Sequence, residues 1–161
     1  FFHHINLADA KNWPHTWITG NYVIYSIVAM VVMLGVGPLI DRFRAVRIAP
    51  VIVLPITAAL SIISISDDPM VVLPYMILLG ISTGLVYPTM SAILPELYGV
   101  KHIGAIKSIA TPIGLFGSAV GPVIMGGLMD VGFSIEWVCL VFAGYCLTGV
   151  VSAYIALLRS R

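Results

Sequence analysis

The chain has 161 residues, a formal net charge of +1, 60% hydrophobic and only 9% charged side chains, and a mean hydropathy of +1.05. Soluble domains average roughly 45–50% apolar and about 25% charged residues, so this composition excludes a water-soluble globule, and the near-neutral charge argues against a nucleic-acid partner. The expected class is an all-α integral membrane protein.

The opening residues, Phe1-Phe2-His3-His4-Ile5-Asn6, carry neither an initiator methionine nor the basic segment that begins a signal peptide. They read as the end of a preceding helix, so the chain is expected to be the back part of a longer protein. Histidine titrates near neutral pH, but adjacent His3 and His4 point different ways at a helix end. Without a third ligand at helical spacing they are expected to pack at an interface or gate, not to hold a metal.

Runs free of Asp, Glu, Lys and Arg cover 17–40, 48–66, 69–95, 108–129 and 137–158. Even the shortest, 48–66, would rise ~28 Å as a helix, close to the thickness of the hydrocarbon core. Backbone groups in lipid must be satisfied internally, which leaves helices or a closed barrel, and runs that are continuous instead of alternating exclude the barrel. Five spanning helices are expected, at about 16–38, 47–66, 70–95, 106–129 and 136–158.

Taking alternate connections, Arg42, Arg44, Arg47, Lys101, Lys107, Arg159 and Arg161 fall on one side and Lys11 alone on the other. A cytoplasmic excess of Lys and Arg sets topology. The loops at 38–47 and 96–107 and the C-terminus are therefore expected in the cytoplasm. Trp13, Trp17 and Trp137 then fall at the external interface, where aromatic belts lie. Cys139 and Cys146 are seven residues apart on one helix, ~10 Å along its axis and too far for a disulfide, and read as packing residues.

Val36-Gly37-Pro38-Leu39-Ile40 on the first span recurs as Val120-Gly121-Pro122-Val123-Ile124 on the fourth, which runs the opposite way. Similar sequence in opposite direction is what an inverted-topology repeat of a secondary transporter predicts. Gly80 and Gly84 form one G-x-x-x-G step and Gly117 and Gly121 another, a pattern that lets helices approach closely. Pro88, Pro112 and Pro122 each remove a ladder hydrogen bond and favour kinks.

The segment from Gly37 through Asp41-Arg42 resembles the G-x-x-x-D-R-x-G-x-R/K motif of the major facilitator superfamily, with Arg44 where the family prefers a second glycine and Arg47 one place beyond the usual basic position. Leu79-Gly80 through Gly84 to Pro88, then Pro95-Glu96-Leu97-Tyr98-Gly99, is similar to the family's tenth helix, and Gly114 through Gly121-Pro122 to Gly126-Gly127 to its glycine-rich eleventh. The resemblance implies that residues 1–161 supply the tip of helix seven and all of helices eight to twelve of a twelve-helix transporter, the N-terminal half being absent. It also implies partners: the lipid bilayer, the other half and a small-molecule substrate moved by alternating access. The Tyr98-Gly99 to Ile109 stretch resembles bacterial members that move monocarboxylates, so the substrate is expected to be an organic anion, with proton or exchange coupling. A transporter-like sensor that binds without moving its solute uses the same helices and stands as the alternative.

Asp41, an anion, could face the positive N-terminal end of a helix starting near Lys107-Ser108, and Arg42 and Arg44 have Glu96 as their cytoplasmic acidic candidate. By resemblance, Asp41, Arg42 and Glu96 are expected to latch the cytoplasmic gate. No Asp, Glu, Lys or Arg lies within the charge-free runs that form the body of each span, where charges usually mark ion pathways, so neutral groups are left to line the cavity. Asn21 and Tyr25, Thr83 and Tyr87, each at i, i+4, with Thr111 on the fourth span, are the candidates. No G-x-S-x-G, H-E-x-x-H or intramembrane carboxylate pair occurs, so neither an enzyme nor a cofactor is expected.

Overall fold

The computed structural model describes residues 4–159, which form helices α1 (His4–Ala10), α2 (His15–Gly20), α3 (Tyr22–Phe43), α4 (Ala45–Ile48), α5 (Leu54–Ile65), α6 (Val72–Tyr98), α7 (Ile103–Asp130) and α8 (Ile135–Arg159), with a 3-10 turn at Pro69–Val71 before α6. No strand occurs among the described residues. His3, Arg161 and the end of the C-terminal tail lie outside them.

Among the described residues, four stretches are long and apolar enough to cross a membrane: His15–Phe43, Pro69–Tyr98, Ile103–Asp130 and Ile135–Ile155. The expected span at 47–66 is different. Its continuous helix is α5 alone, 12 residues from Leu54 to Ile65, about 18 Å long. Pro50 and Pro55 explain the interruption, because neither has an N–H to give to the ladder. Between them the chain stays in turns held by short-range bonds, Val51 N to Ile48 O at 2.9 Å and Leu54 N to Val51 O at 3.1 Å. The hydropathy of 48–66 is that of a span, but its prolines divide the helix.

The connections are shorter than charge patterning suggested. α3 runs on through Pro38 to Phe43, so Gly37, Asp41 and Arg42 are helical and Arg44 alone separates α3 from α4. Likewise, α6 ends at Tyr98 and α7 starts at Ile103, leaving 99–102 as the link. Gly99 caps α6 at φ 73°, in the left-handed region that glycine enters without steric cost.

α6 is the central post. α3 packs along one side of it and α5 along another, while α5 also pairs with α8. Between apolar helices in lipid the hydrophobic effect supplies little, and close backbone approach takes over. Gly80 and Gly84 make that approach: an added Cβ would sit 2.8 Å from Tyr25 O and 2.9 Å from Val28 Cβ at Gly80, and 2.7 Å from both Ala29 O and Val32 Cβ at Gly84. α7 touches its neighbours lightly and buries no residue of its own.

The buried core gathers at the end of the bundle that carries Trp13 and Trp17, where Leu7, Ile63, Val72, Tyr75, Met76 and Cys139 meet. At this tryptophan end a clasp ties the α1–α2 connection to the α5–α6 connection. The Lys11 ammonium, its side chain 1% exposed, donates to Ser66 O at 2.8 Å and pairs with Asp67 at 2.7 Å. Trp13 and Trp17 donate their indole N–H groups to Asp67 O and Pro69 O. Of the three tryptophans expected in a belt, Trp137 is exposed and Trp13 is buried. Trp13 is inside because its N–H satisfies a backbone carbonyl that the connection would otherwise leave unpaired.

Candidate functional site

Glu96 organises the opposite, arginine end. Its Oε1 accepts from Arg44 Nε at 2.8 Å, and its Oε2 accepts from the backbone N–H of Ala45 at 2.7 Å and of Val46 at 3.4 Å. The carboxylate, carried by α6, thereby closes the first turn of α4. Free N–H groups at a helix start are the donors such an acceptor satisfies.

Arg44 stands at the position where the motif prefers glycine, and its backbone shows the reason for that preference: φ is 72° and ψ 137°. Side chains with a Cβ rarely adopt this conformation, at a cost of about 1–3 kcal/mol. The strained turn is held from both sides, by Arg44 N donating to Ile40 O at 2.8 Å and by Glu96. The sequence pattern made Arg42 and Asp41 the partners to watch. In the structure Glu96 takes Arg44, while the Arg42 guanidinium lies 5.5 Å from the Phe43 ring. Among the described residues Asp41 and Arg42, both on the last turn of α3, form no ion pair. The helix expected near Lys107-Ser108 begins at Ile103.

Of the cavity candidates, Tyr25 and Thr83 are brought together: the Tyr25 hydroxyl donates to Thr83 Oγ1 at 3.2 Å between α3 and α6. Asn21 is turned to its own backbone, its Nδ2 donating to Trp17 O at 2.6 Å at the α2–α3 junction. Tyr87 is 65% exposed and Thr111 is exposed on α7, so neither joins the Tyr25–Thr83 pair. Pro88 lies inside α6, and Pro112 and Pro122 inside α7. Gly117 and Gly121 meet open space. Both border a cavity of about 490 Å³ between α7 and α8, which Phe116, Phe142 and Tyr145 also line.

A second cavity, of about 410 Å³, lies among α1, α5, α6, α7 and α8. His4, Tyr75, Thr83 and Cys139 supply its polar groups, and Leu79 and Met125 are among its apolar ones. His4 is buried and bridges two helices, with Nδ1 2.8 Å from the Tyr22 hydroxyl and Nε2 2.8 Å from the Tyr75 hydroxyl. Burial disfavours the imidazolium and holds His4 down to about 4, so at neutral pH the ring is neutral, with one nitrogen donating and the other accepting. Sequence reasoning placed His4 at a packing position but missed both tyrosines. Tyr75 is 71 residues away, and no local pattern could join them.

Cys139 and Cys146 are free thiols. No metal-binding cluster occurs among the described residues.

No curated protein and no solved structure matches the chain. A family model does, over residues 3–161, and the long apolar helices agree with it: the chain belongs to the Major Facilitator Superfamily, multi-pass membrane transporters of small-molecule substrates.

Proposed function

We propose that the protein is a secondary transporter working by alternating access on a small organic anion, with proton or exchange coupling, in the bacterial inner membrane. In this reading the arginine end is cytoplasmic, and residues 1–161 act as the second half of the transporter, from the tip of helix seven through helix twelve. A first half supplies the rest of the substrate cavity. Tyr25, Thr83 and Tyr87 face that cavity from α3 and α6, with Asn21 and Thr111 at its margins, and Pro88 and Pro122 let α6 and α7 flex.

The observation that carries the reading is the Glu96 carboxylate bridging α6 to the turn at Arg44, Ala45 and Val46. A single side chain that holds a strained turn through three donors is suited to a latch: it is satisfied in one arrangement of α4 against α6 and loses all three partners in another. Burying or freeing a charged acceptor in this way moves an equilibrium by about 1.5–3 kcal/mol.

The test uses the intact protein in proteoliposomes, with Tyr87→Cys as a reporter on a background lacking Cys139 and Cys146. Glu96→Ala is expected to raise labelling of that reporter from the arginine side by a membrane-impermeant maleimide severalfold, and to slow solute counterflow about tenfold. Arg44→Ala is expected to do less, since Glu96 keeps its backbone donors. Wild-type labelling and counterflow in Glu96→Ala would sink the latch. Absence of counterflow for any small solute in the wild type would sink the transport reading.

A further inference from the structure

The Tyr22–His4–Tyr75 chain links two different environments. Tyr22, at the start of α3, is half-buried, whereas His4 and Tyr75 are buried and both line the 410 Å³ cavity. Both joints are 2.8 Å, ordinary hydrogen-bond lengths along which a proton can be handed from hydroxyl to imidazole nitrogen. The His4 ring lies 5.7 Å from the Tyr22 ring and 5.6 Å from the Tyr75 ring, centroid to centroid, so the imidazole is clamped between them.

We infer that Tyr22, His4 and Tyr75 form a proton relay from the tryptophan end into this cavity, and that the cavity takes a small weak acid as its carboxylate together with the relayed proton. A proton arriving on Tyr22 Oη releases the Tyr22 hydroxyl proton to His4 Nδ1. The proton on His4 Nε2 passes to Tyr75 Oη, and the hydroxyl proton of Tyr75 passes to a carboxylate oxygen of the ligand. One proton enters, one O–H bond forms on the ligand, and no residue is left charged. The ring ends in its other tautomer, and the relay is reset by a turn of the ring and of the two hydroxyls that breaks and remakes both hydrogen bonds, so that the ligand carries its proton onward.

The chemistry of the cavity selects the ligand class. Its lining holds no Asp, Glu, Lys or Arg, so the last acceptor in the relay has to be a base that the ligand itself brings. An amine would become a cation in an apolar space without a counter-charge, at a high desolvation cost. A carboxylate becomes neutral there, and the apolar walls then favour it. Among the described residues, the titratable groups that touch His4 are Tyr22 and Tyr75; Cys139 on α8 lines the same cavity, and Lys11, further along α1, is paired with Asp67. α5 and α7 present Ile56, Leu60, Pro122 and Met125, none of which titrates.

This inference rests on the transport reading above, and L-lactate is the probe that tests it, with the intact protein. Lactate binding by the wild type is expected to weaken about tenfold per pH unit between pH 6 and 8, the dependence that uptake of one proton per ligand produces. In proteoliposomes with an acidic exterior, Tyr22→Phe and Tyr75→Phe are each expected to slow net lactate uptake at least tenfold. Lactate–lactate exchange, which needs no net proton movement, should fall no more than threefold in Tyr22→Phe, a split that loss of packing would not produce. His4→Gln should behave like Tyr75→Phe. Lactate affinity that does not change with pH, or net uptake at wild-type rate in both tyrosine variants, overturns the relay. If solutes still move, the transport reading stands.

Discussion

α6 and α7 carry the same ingredients and meet different fates. Each is a long apolar helix with two internal prolines, Pro88 and Pro95 in one and Pro112 and Pro122 in the other, and each has a G-x-x-x-G step. On α6 the glycines are filled by the α3 backbone, with Ala29 O and Val32 Cβ each 2.7 Å from where a Gly84 Cβ would stand. On α7 the same motif, Gly117 and Gly121, faces open space. A small-residue step is thus permission for contact, and the fold decides whether a partner takes it up. The two helices are therefore held differently: α6 is bonded near both ends, through Tyr75 and through Glu96, while α7 is held lightly and borders both cavities.

The comparison breaks most sharply at the glycines. Gly84→Ala forces a Cβ onto backbone, and overpacking of this kind costs about 1–3 kcal/mol, with Gly80→Ala close behind. Thermal unfolding of the intact protein in detergent checks it. Gly117→Ala, with room for its methyl group, is expected to stay within about 1 kcal/mol of wild type or to gain slightly from helix propensity. Equal losses at Gly84 and Gly117 would mean that the α7 face is covered as tightly as that of α6.

The next test takes the tryptophan end of α6 to acid. His4 is held down to about 4, mainly by burial, against an unfolded value near 6.5. Its native pKa is the lower one, so the unfolded chain binds the proton more readily. The contribution to stability is full above pH 6.5 and is lost as pH falls from there toward 4, by at most about 3 kcal/mol. Melting temperatures between pH 4 and 7.5 should show this loss in the wild type and a flatter profile in His4→Gln.

The arginine end offers the smaller pair of effects. Glu96→Gln keeps an acceptor for Ala45 N–H but loses charge assistance, and a destabilisation of about 1–2 kcal/mol is expected. Arg44→Gly removes the strain at φ 72° together with an ion pair whose arginine side chain is 65% exposed. Exposed pairs contribute little, so this variant is expected to match or exceed the wild type by about 1 kcal/mol. Chemical denaturation of both variants reads the sign. A large loss in Arg44→Gly would make the guanidinium, not the backbone cap, the centre of the latch.

Much of the architecture was legible in the chain because it follows from solvent physics. Charge-free runs mark segments that can exist in hydrocarbon, and backbone bonding there compels helices, so the helical class and four of the five spans follow from the sequence. The second span did not, since hydropathy averages over Pro50 and Pro55 while the hydrogen-bond ladder does not. The motif was legible as far as Gly37, Asp41 and Arg42, whereas Arg44 in place of its glycine argued against a tight turn that the backbone makes nonetheless, at φ 72°.

What the tertiary structure alone decided is which polar group meets which. Glu96 chose Arg44 over Arg42, and it also accepts from two backbone N–H groups that no side-chain pattern encodes. His4 found Tyr22 and Tyr75 across 18 and 71 residues of chain, and Gly80 and Gly84 found Tyr25 and Ala29. The amino-acid sequence determines where each helix can run, because every residue tells water from lipid by its own chemistry. Partners depend on rotation and register between helices, set by contacts that are distant along the chain, and only the folded arrangement specifies them.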